Sequence, residues 1–282
     1  MSRYLAAAIQ MDTQDDREEN FRTLETLIAQ AAEQGAKLIC MPECVTYLGR
    51  NIADAAEEVP GGPSFRFFSA QAKRHGVWLH CGSIYEKSGD QRPYNCTMLL
   101  NPQGELVARY RKLHPFDVVL PNGTSVRESD TIRPGDSIVT AQAGRLGRLG
   151  FAICYDMRFG ELFRLMALEG AQIFVVPANF TLATGKDHWL PLLRARAIEN
   201  GCYVIAPGQI GKKPQFEAFG HSLIIDPWGT VTACASHRPG VVLGEIDLDL
   251  EQQVRRQLFT LENRREDLYT LERKALGGGN KG

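Results

Sequence analysis

Apolar residues run along this chain in two rhythms, and the alternation between them predicts its elements. Phe21, Leu24, Leu27, Ile28 and Ala31 recur at the spacing of one helix face with Gly35 as the stop, and Phe159, Leu162, Phe163, Met166 and Ala167 do the same before Gly170. Between these faces stand unbroken apolar runs, Leu38 to Met41 and Ile173 to Val176. Each follows a Gly-Ala pair and closes on a proline, the pattern of strands buried on both faces of a parallel sheet. Two further helices are predicted, Pro63 to His75 with proline near the first turn and Asp187 to Asn200 with Asp187 as the N-cap.

Four short segments repeat in the same order in the two halves of the chain. Ala8 to Asp12 matches Ala152 to Asp156, Gly35 to Pro42 matches Gly170 to Pro177, Gly76 to Leu79 matches Gly201 to Val204, and Asn101 to Val107 matches Asp226 to Val231. The last pair reads as a turn between two β-rich stretches. The spacing between partners shrinks from 144 to 125 residues, so order is kept while loop lengths drift. Each half thus reads β-α-β-α-β followed by a hairpin, one sheet covered by two helices. Two such sheets bury their open faces against one another, which predicts an α/β fold: a four-layer α-β-β-α sandwich with an internal pseudo-two-fold duplication. Residues 1–273 are expected to form one domain, and the glycine-rich 274–282 a flexible tail.

Composition narrows the function. The 282 residues are 44% hydrophobic and 23% charged, which suits a large buried core. Their 32 basic and 33 acidic side chains leave a formal charge of -1, without the basic excess that nucleic-acid binding requires. The apolar stretch from Leu5 to Ile9 is too short for a signal sequence, no run approaches a membrane span, and the seven scattered cysteines suit a reducing compartment. A cytoplasmic protein without nucleic-acid or membrane partners is expected. No cysteine or histidine spacing suggests a metal site, and Thr184-Gly185-Lys186 lacks the upstream glycine of a phosphate-binding loop.

The candidate chemistry centres on Cys154. It follows the apolar run Leu149 to Ile153 and precedes a helix-patterned stretch, so its thiol stands at a strand-to-helix turn whose next N–H groups face whatever the sulfur attacks. Gln10 occupies the matching position in the other half, so only one half carries the thiol. Glu43 sits just past the strand ending at Pro42, and Lys112 follows the β-rich Glu105 to Tyr110. A thiol, a carboxylate to take its proton and a fixed cation to stabilise an oxyanion form a complete set for acyl transfer.

Three segments, Met41-Pro42-Glu43, Tyr110-Arg111-Lys112-Leu113-His114 and Ile153-Cys154-Tyr155-Asp156-Met157-Arg158-Phe159, resemble the motifs of the nitrilase superfamily of carbon-nitrogen hydrolases, in order and separation. The resemblance runs from about Tyr4 to Tyr269. It implies the sandwich fold, a Glu43-Lys112-Cys154 triad, Glu128 as a second glutamate orienting Lys112, the backbone N–H of Tyr155 as an oxyanion donor, a thioester intermediate and no metal or organic cofactor. Segments such as Leu193-Arg194-Ala195-Arg196-Ala197-Ile198-Glu199 and Asp226-Pro227-Trp228-Gly229 look most like the deaminated glutathione amidase and omega-amidase branch. That branch implies a small carboxylate-bearing amide as substrate, with α-ketoglutaramate or another amide or nitrile as the alternative. Lys186-Asp187 departs from its usual Pro-Ala and is expected at the pocket rim. Arg158, four residues after the thiol, is a candidate to pair a substrate carboxylate, and Phe180 and Thr184 are candidate pocket walls. A homodimer or larger homo-oligomer is implied, with Val254 to Leu268 as a candidate contact.

Overall fold

The structure is a computed structural model and describes residues 3–119, 123 and 125–274. The first half runs β1 (Arg3–Gln10), α1 (Arg17–Glu33), β2 (Ala36–Cys40), α2 (Pro63–His75), β3 (Trp78–His80), β4 (Ile84–Glu86), β5 (Tyr94–Leu100) and β6 (Leu106–Arg111). A small hairpin, β7 (Asp117–Val119) and β8 (Ser125–Arg127), leads into the second half. There follow β9 (Thr140–Gln142), β10 (Arg148–Phe151), α3 (Gly160–Leu168), β11 (Ile173–Val175), α4 (Leu182–Asn200) and β12 (Tyr203–Ala206). The chain closes with β13 (Ile210–Lys212), β14 (Glu217–Phe219), β15 (Leu223–Ile225), β16 (Val231–Cys234), β17 (Gly240–Asp247) and α5 (Leu248–Leu258).

The repeat in the sequence is a repeat in topology. In one sheet β1, β2 and β3 run parallel and β5 and β6 return antiparallel; in the other β10, β11 and β12 run parallel and β15 and β16 return antiparallel. Both return hairpins turn the same way. The side-chain oxygen of Asn101 accepts from the N–H of Gln103 and Glu105, and that of Asp226 from the N–H of Trp228 and Thr230, so each turn is held by a side chain that mimics a backbone carbonyl.

Alternation along β1 and β2 divides the core. Ala7, Ile9, Ile39 and Met41 join Leu24, Ile28, Phe68 and Ala72 of α1 and α2 in one cluster. Their neighbours Ala6, Ala8, Leu38 and Cys40 join residues of the second sheet and of α3 and α4 in the other. The His80 ring, on β3, stacks at 5.4 Å on Phe151, on β10, which marks where the two sheets meet. Burial pushes the His80 pKa down to about 3, so the ring is neutral there.

One boundary differs from the sequence reading. The fourth helix starts at Leu182, not after Asp187, and its N-cap is Thr181, whose side chain accepts from the Thr184 N–H. Gly185 and Pro191 lie inside it, and both argue against a helix by propensity alone. Packing overrides propensity: a Cβ at Gly185 would sit 2.3 Å from the Phe219 ring, so only glycine lets this turn lie against β14. α2 begins and ends where the sequence places it. Of the expected tail, 275–282 lie outside the described residues. No helix among those residues is long and apolar enough to cross a membrane.

Candidate active site

Strand ends bring four segments to one cavity. Glu43 lies just beyond β2, Cys154 just beyond β10, Asn179 and Phe180 beyond β11, and Lys112 just beyond β6, where its N–H bonds to the carbonyl of Asn95 on β5. The cavity holds about 670 Å³, enough for a tripeptide-sized molecule. Leu48, Ile52, Phe116, Ile132, Phe180 and Phe216 give it apolar walls, and no histidine is among its lining residues.

The elbow at Cys154 is held by two hydrogen bonds. Its φ of 49° lies in the left-handed region, a conformation that costs a non-glycine residue about 1–3 kcal/mol and survives only where the surroundings impose it. Here the Cys154 N–H donates to the Pro177 carbonyl at 2.9 Å, and the Ile153 N–H donates to Asp156 Oδ2 at 2.8 Å. A tight 3-10 turn, Cys154–Arg158, follows. Among the described residues the Tyr155 N–H bonds to no backbone acceptor outside the turn, which leaves it able to serve an oxyanion beside the thiol.

Asp156 is fully buried and ties this elbow to the strand that carries Lys112. Besides the Ile153 N–H it accepts from the Tyr110 hydroxyl at 2.7 Å, the His114 N–H at 3.0 Å and His114 Nδ1 at 2.7 Å. Asp156→Ala is therefore expected to destabilise the protein by about 2–4 kcal/mol, because it strands several buried donors at once. Urea unfolding checks this, and an unchanged midpoint would mean that the carboxylate is not the link between the two segments.

The ion cluster is compact. Lys112 Nζ lies 3.1 Å from Glu43 Oε1 and 2.8 Å from Glu128 Oε2, and all three side chains line the cavity. Glu43 Oε1 also accepts from Asn95 Nδ2 at 2.8 Å, and Oε2 from the Asn179 N–H at 2.7 Å. Glu128 Oε2 accepts from the Phe116 N–H at 2.5 Å as well, pinning the β7–β8 hairpin to the cavity wall. Behind Glu43, Gly82 has a φ of 59°, and a Cβ there would meet the Pro42 carbonyl at 2.1 Å, so glycine alone lets the loop after β3 press against this turn.

Burial works against the charge on Lys112, yet the carboxylates of Glu128 and Glu43 together outweigh it and hold the ammonium well above the ordinary lysine range. Burial, and after it the charge of Glu43, pushes the Cys154 thiol well above its usual 9.0, with Lys112 pulling the other way. The sulfur therefore rests as a thiol at neutral pH, and an attack by it needs a neighbouring base at the moment of bond formation. Glu43 is the carboxylate beside it.

Of the residues singled out from sequence, Glu43, Lys112, Glu128, Cys154, Tyr155, Phe180 and Thr184 all line this cavity. Arg158 does not. Its guanidinium lies behind two lining rings, 5.4 Å from the Phe180 centroid and 5.7 Å from that of Tyr155, and 3.4 Å from His188 Nδ1 on α4. Lys186 and Asp187 are exposed one turn beyond the lining residue Thr184 and are not themselves part of the lining. The cations that do face the cavity are Arg50, Arg127 and Lys213 beside Lys112, and Lys213 is committed to Asp12 at 2.6 Å and to the Thr13 carbonyl. Sequence reasoning missed Asn95, Asp156 and Asn179. The signal for Asn95 was a polar residue inside β5, whose seven residues are otherwise almost all apolar and all buried.

A family described as carbon-nitrogen hydrolase matches residues 5–256. The chain is 42% identical over 272 residues to deaminated glutathione amidase of Mus musculus, covering 94% of this chain and 84% of that one. To deaminated glutathione amidase of Synechocystis it is 41% identical over 270 residues, covering 94% and 99%. The crystal structure of Saccharomyces cerevisiae Nit3, a member of branch 10 of the nitrilase superfamily, is similar with a TM-score of 0.83 at 28% identity, covering 93% of this chain and 97% of that one.

Proposed function

Because the chain belongs to the carbon-nitrogen hydrolase family, we propose that it is a cysteine-dependent amidase whose substrate is a small carboxylate-bearing amide, deaminated glutathione first among the candidates. The observation that carries this reading is the convergence of a buried thiol, a carboxylate and a paired ammonium, Cys154, Glu43 and Lys112, on one cavity. Two relatives described as deaminated glutathione amidase, at 42% and 41% identity, support the choice of substrate.

In the mechanism Glu43 takes the Cys154 proton as the sulfur bonds to the amide carbon. The Lys112 ammonium and the Tyr155 N–H hold the oxyanion. Glu43 then passes the proton to the departing nitrogen, the C–N bond breaks, and a thioester remains on Cys154. A water that loses its proton to Glu43 attacks the thioester carbon, the acid leaves, and the sulfur regains a proton. Glu128 keeps Lys112 in place between the two carboxylates. Arg50 and Arg127, both exposed side chains that reach the cavity lining, are placed to meet a carboxylate at the far end of a long substrate.

Deaminated glutathione and α-ketoglutaramate share the acyl group and differ in the leaving amine, so both release 2-oxoglutarate. With that product followed for both, deaminated glutathione is expected to show a kcat/KM at least about tenfold higher, because only its leaving group carries a terminal carboxylate toward the arginines. Preference for α-ketoglutaramate would reassign the protein as an omega-amidase. Turnover of neither would remove the substrate assignment.

A further inference from the structure

Seven side chains among the described residues carry a buried polar atom with no hydrogen-bond partner, and of these Asn179 alone lines the cavity. Its backbone N–H is engaged at the base, donating to Glu43 Oε2 at 2.7 Å. The carboxamide oxygen, Oδ1, accepts nothing from the protein. A buried carbonyl without a donor is a cost to the fold, and at a binding site it is a place reserved for a donor on the ligand.

The position restricts which donor that is. Glu43 Oε1 already accepts from Asn95 and Lys112, so the oxygen nearest Asn179 is Oε2. In the proposed mechanism Glu43 delivers a proton to the departing nitrogen, which must therefore approach the carboxylate. An amide nitrogen that approaches there meets, in the same cavity, the residue that carries the unpaired Oδ1. Esters and nitriles bring no N–H to it. The oxyanion donors, Lys112 and the Tyr155 N–H, serve the other end of the reacting carbonyl and have no use for an acceptor.

We propose that Asn179 Oδ1 accepts the N–H of the scissile amide, making Asn179 the residue that selects amides over esters and nitriles of the same acyl group. This rests on the amidase reading given above. The hydrogen bond orients the leaving nitrogen toward Glu43, so its loss is felt where that nitrogen must be protonated and not where the sulfur attacks.

The test compares α-ketoglutaramate with the γ-methyl ester of 2-oxoglutarate, which share an acyl group and a product, in wild type, Asn179→Leu and Asn179→Ala. Leucine keeps the size of asparagine without its polar atoms, and both variants keep the backbone N–H that bonds Glu43. The expected result is a drop of about tenfold to a hundredfold in kcat/KM for the amide, with ester turnover within about threefold of wild type. Retained ester turnover also shows that the variant is folded. Equal losses on both substrates, or no loss on the amide, would overturn the assignment while leaving the amidase reading intact. A wild type that hydrolyses neither compound nor deaminated glutathione would overturn both together.

Discussion

Glu43→Gln is expected to lower amide turnover by about 10²–10⁴-fold, the range that a positioned general acid–base group contributes. The reason is specific to this site. The sulfur is held as a thiol by burial and by the charge of Glu43 itself, so without a carboxylate nothing beside it can remove its proton. Glutamine keeps the shape but offers one acceptor oxygen where Glu43 uses two: Oε1 takes Asn95 Nδ2 and Lys112 Nζ, and Oε2 takes the Asn179 N–H. Whichever way the amide is turned, its own N–H₂ faces a donor, and a stability loss of about 1–3 kcal/mol should accompany the lost activity. Steady-state turnover and urea unfolding of the purified variant check both halves. Turnover within tenfold of wild type would mean that some other group takes the thiol proton.

Lys112→Met should cost more in stability than any single change on the cavity surface. Lys112 is 2% exposed and is the cation shared by two carboxylates. Removing one partner of a buried ion cluster typically costs about 3–5 kcal/mol, because the charges left behind remain desolvated and now repel each other. Its pKa is raised above the ordinary 10.5, so the stability it contributes is complete below that value and is lost only as pH climbs through the folded-state value. The gap between wild type and variant is thus expected to stay level between about pH 7 and 9. A further loss of about 10²–10³-fold in turnover is expected from the missing oxyanion partner. A variant as stable as wild type would show that Glu43 and Glu128 do not depend on Lys112 for compensation.

Much of this site was legible in the sequence because its parts sit where chain direction changes. Pro42 ends a buried strand and puts Glu43 just outside it; the apolar run before Cys154 followed at once by polar residues marks an elbow. The repeat was legible for a similar reason, since turn residues such as Asn101 and Asp226 hold the same hydrogen bonds in both halves. Roles that depend on distant partners were not. Asp156 meets Tyr110 across 46 positions, and Asn179 meets Glu43 across 136, and no local pattern announces either. Nor does spacing fix where Arg158 points, because distance along the chain from Cys154 carries no direction. A 3-10 turn advances 3.0 residues per turn, and that geometry sends the side chain toward His188 on α4.

Acyl transfer through Cys154 can be caught by acid-quenching the enzyme during turnover of deaminated glutathione and mapping its peptides by mass spectrometry. A 2-oxoglutaryl group is expected on the peptide containing Cys154, and neither adduct nor product in Cys154→Ala. Product formation by Cys154→Ala at the wild-type rate, with no acyl group on any cysteine, would contradict it.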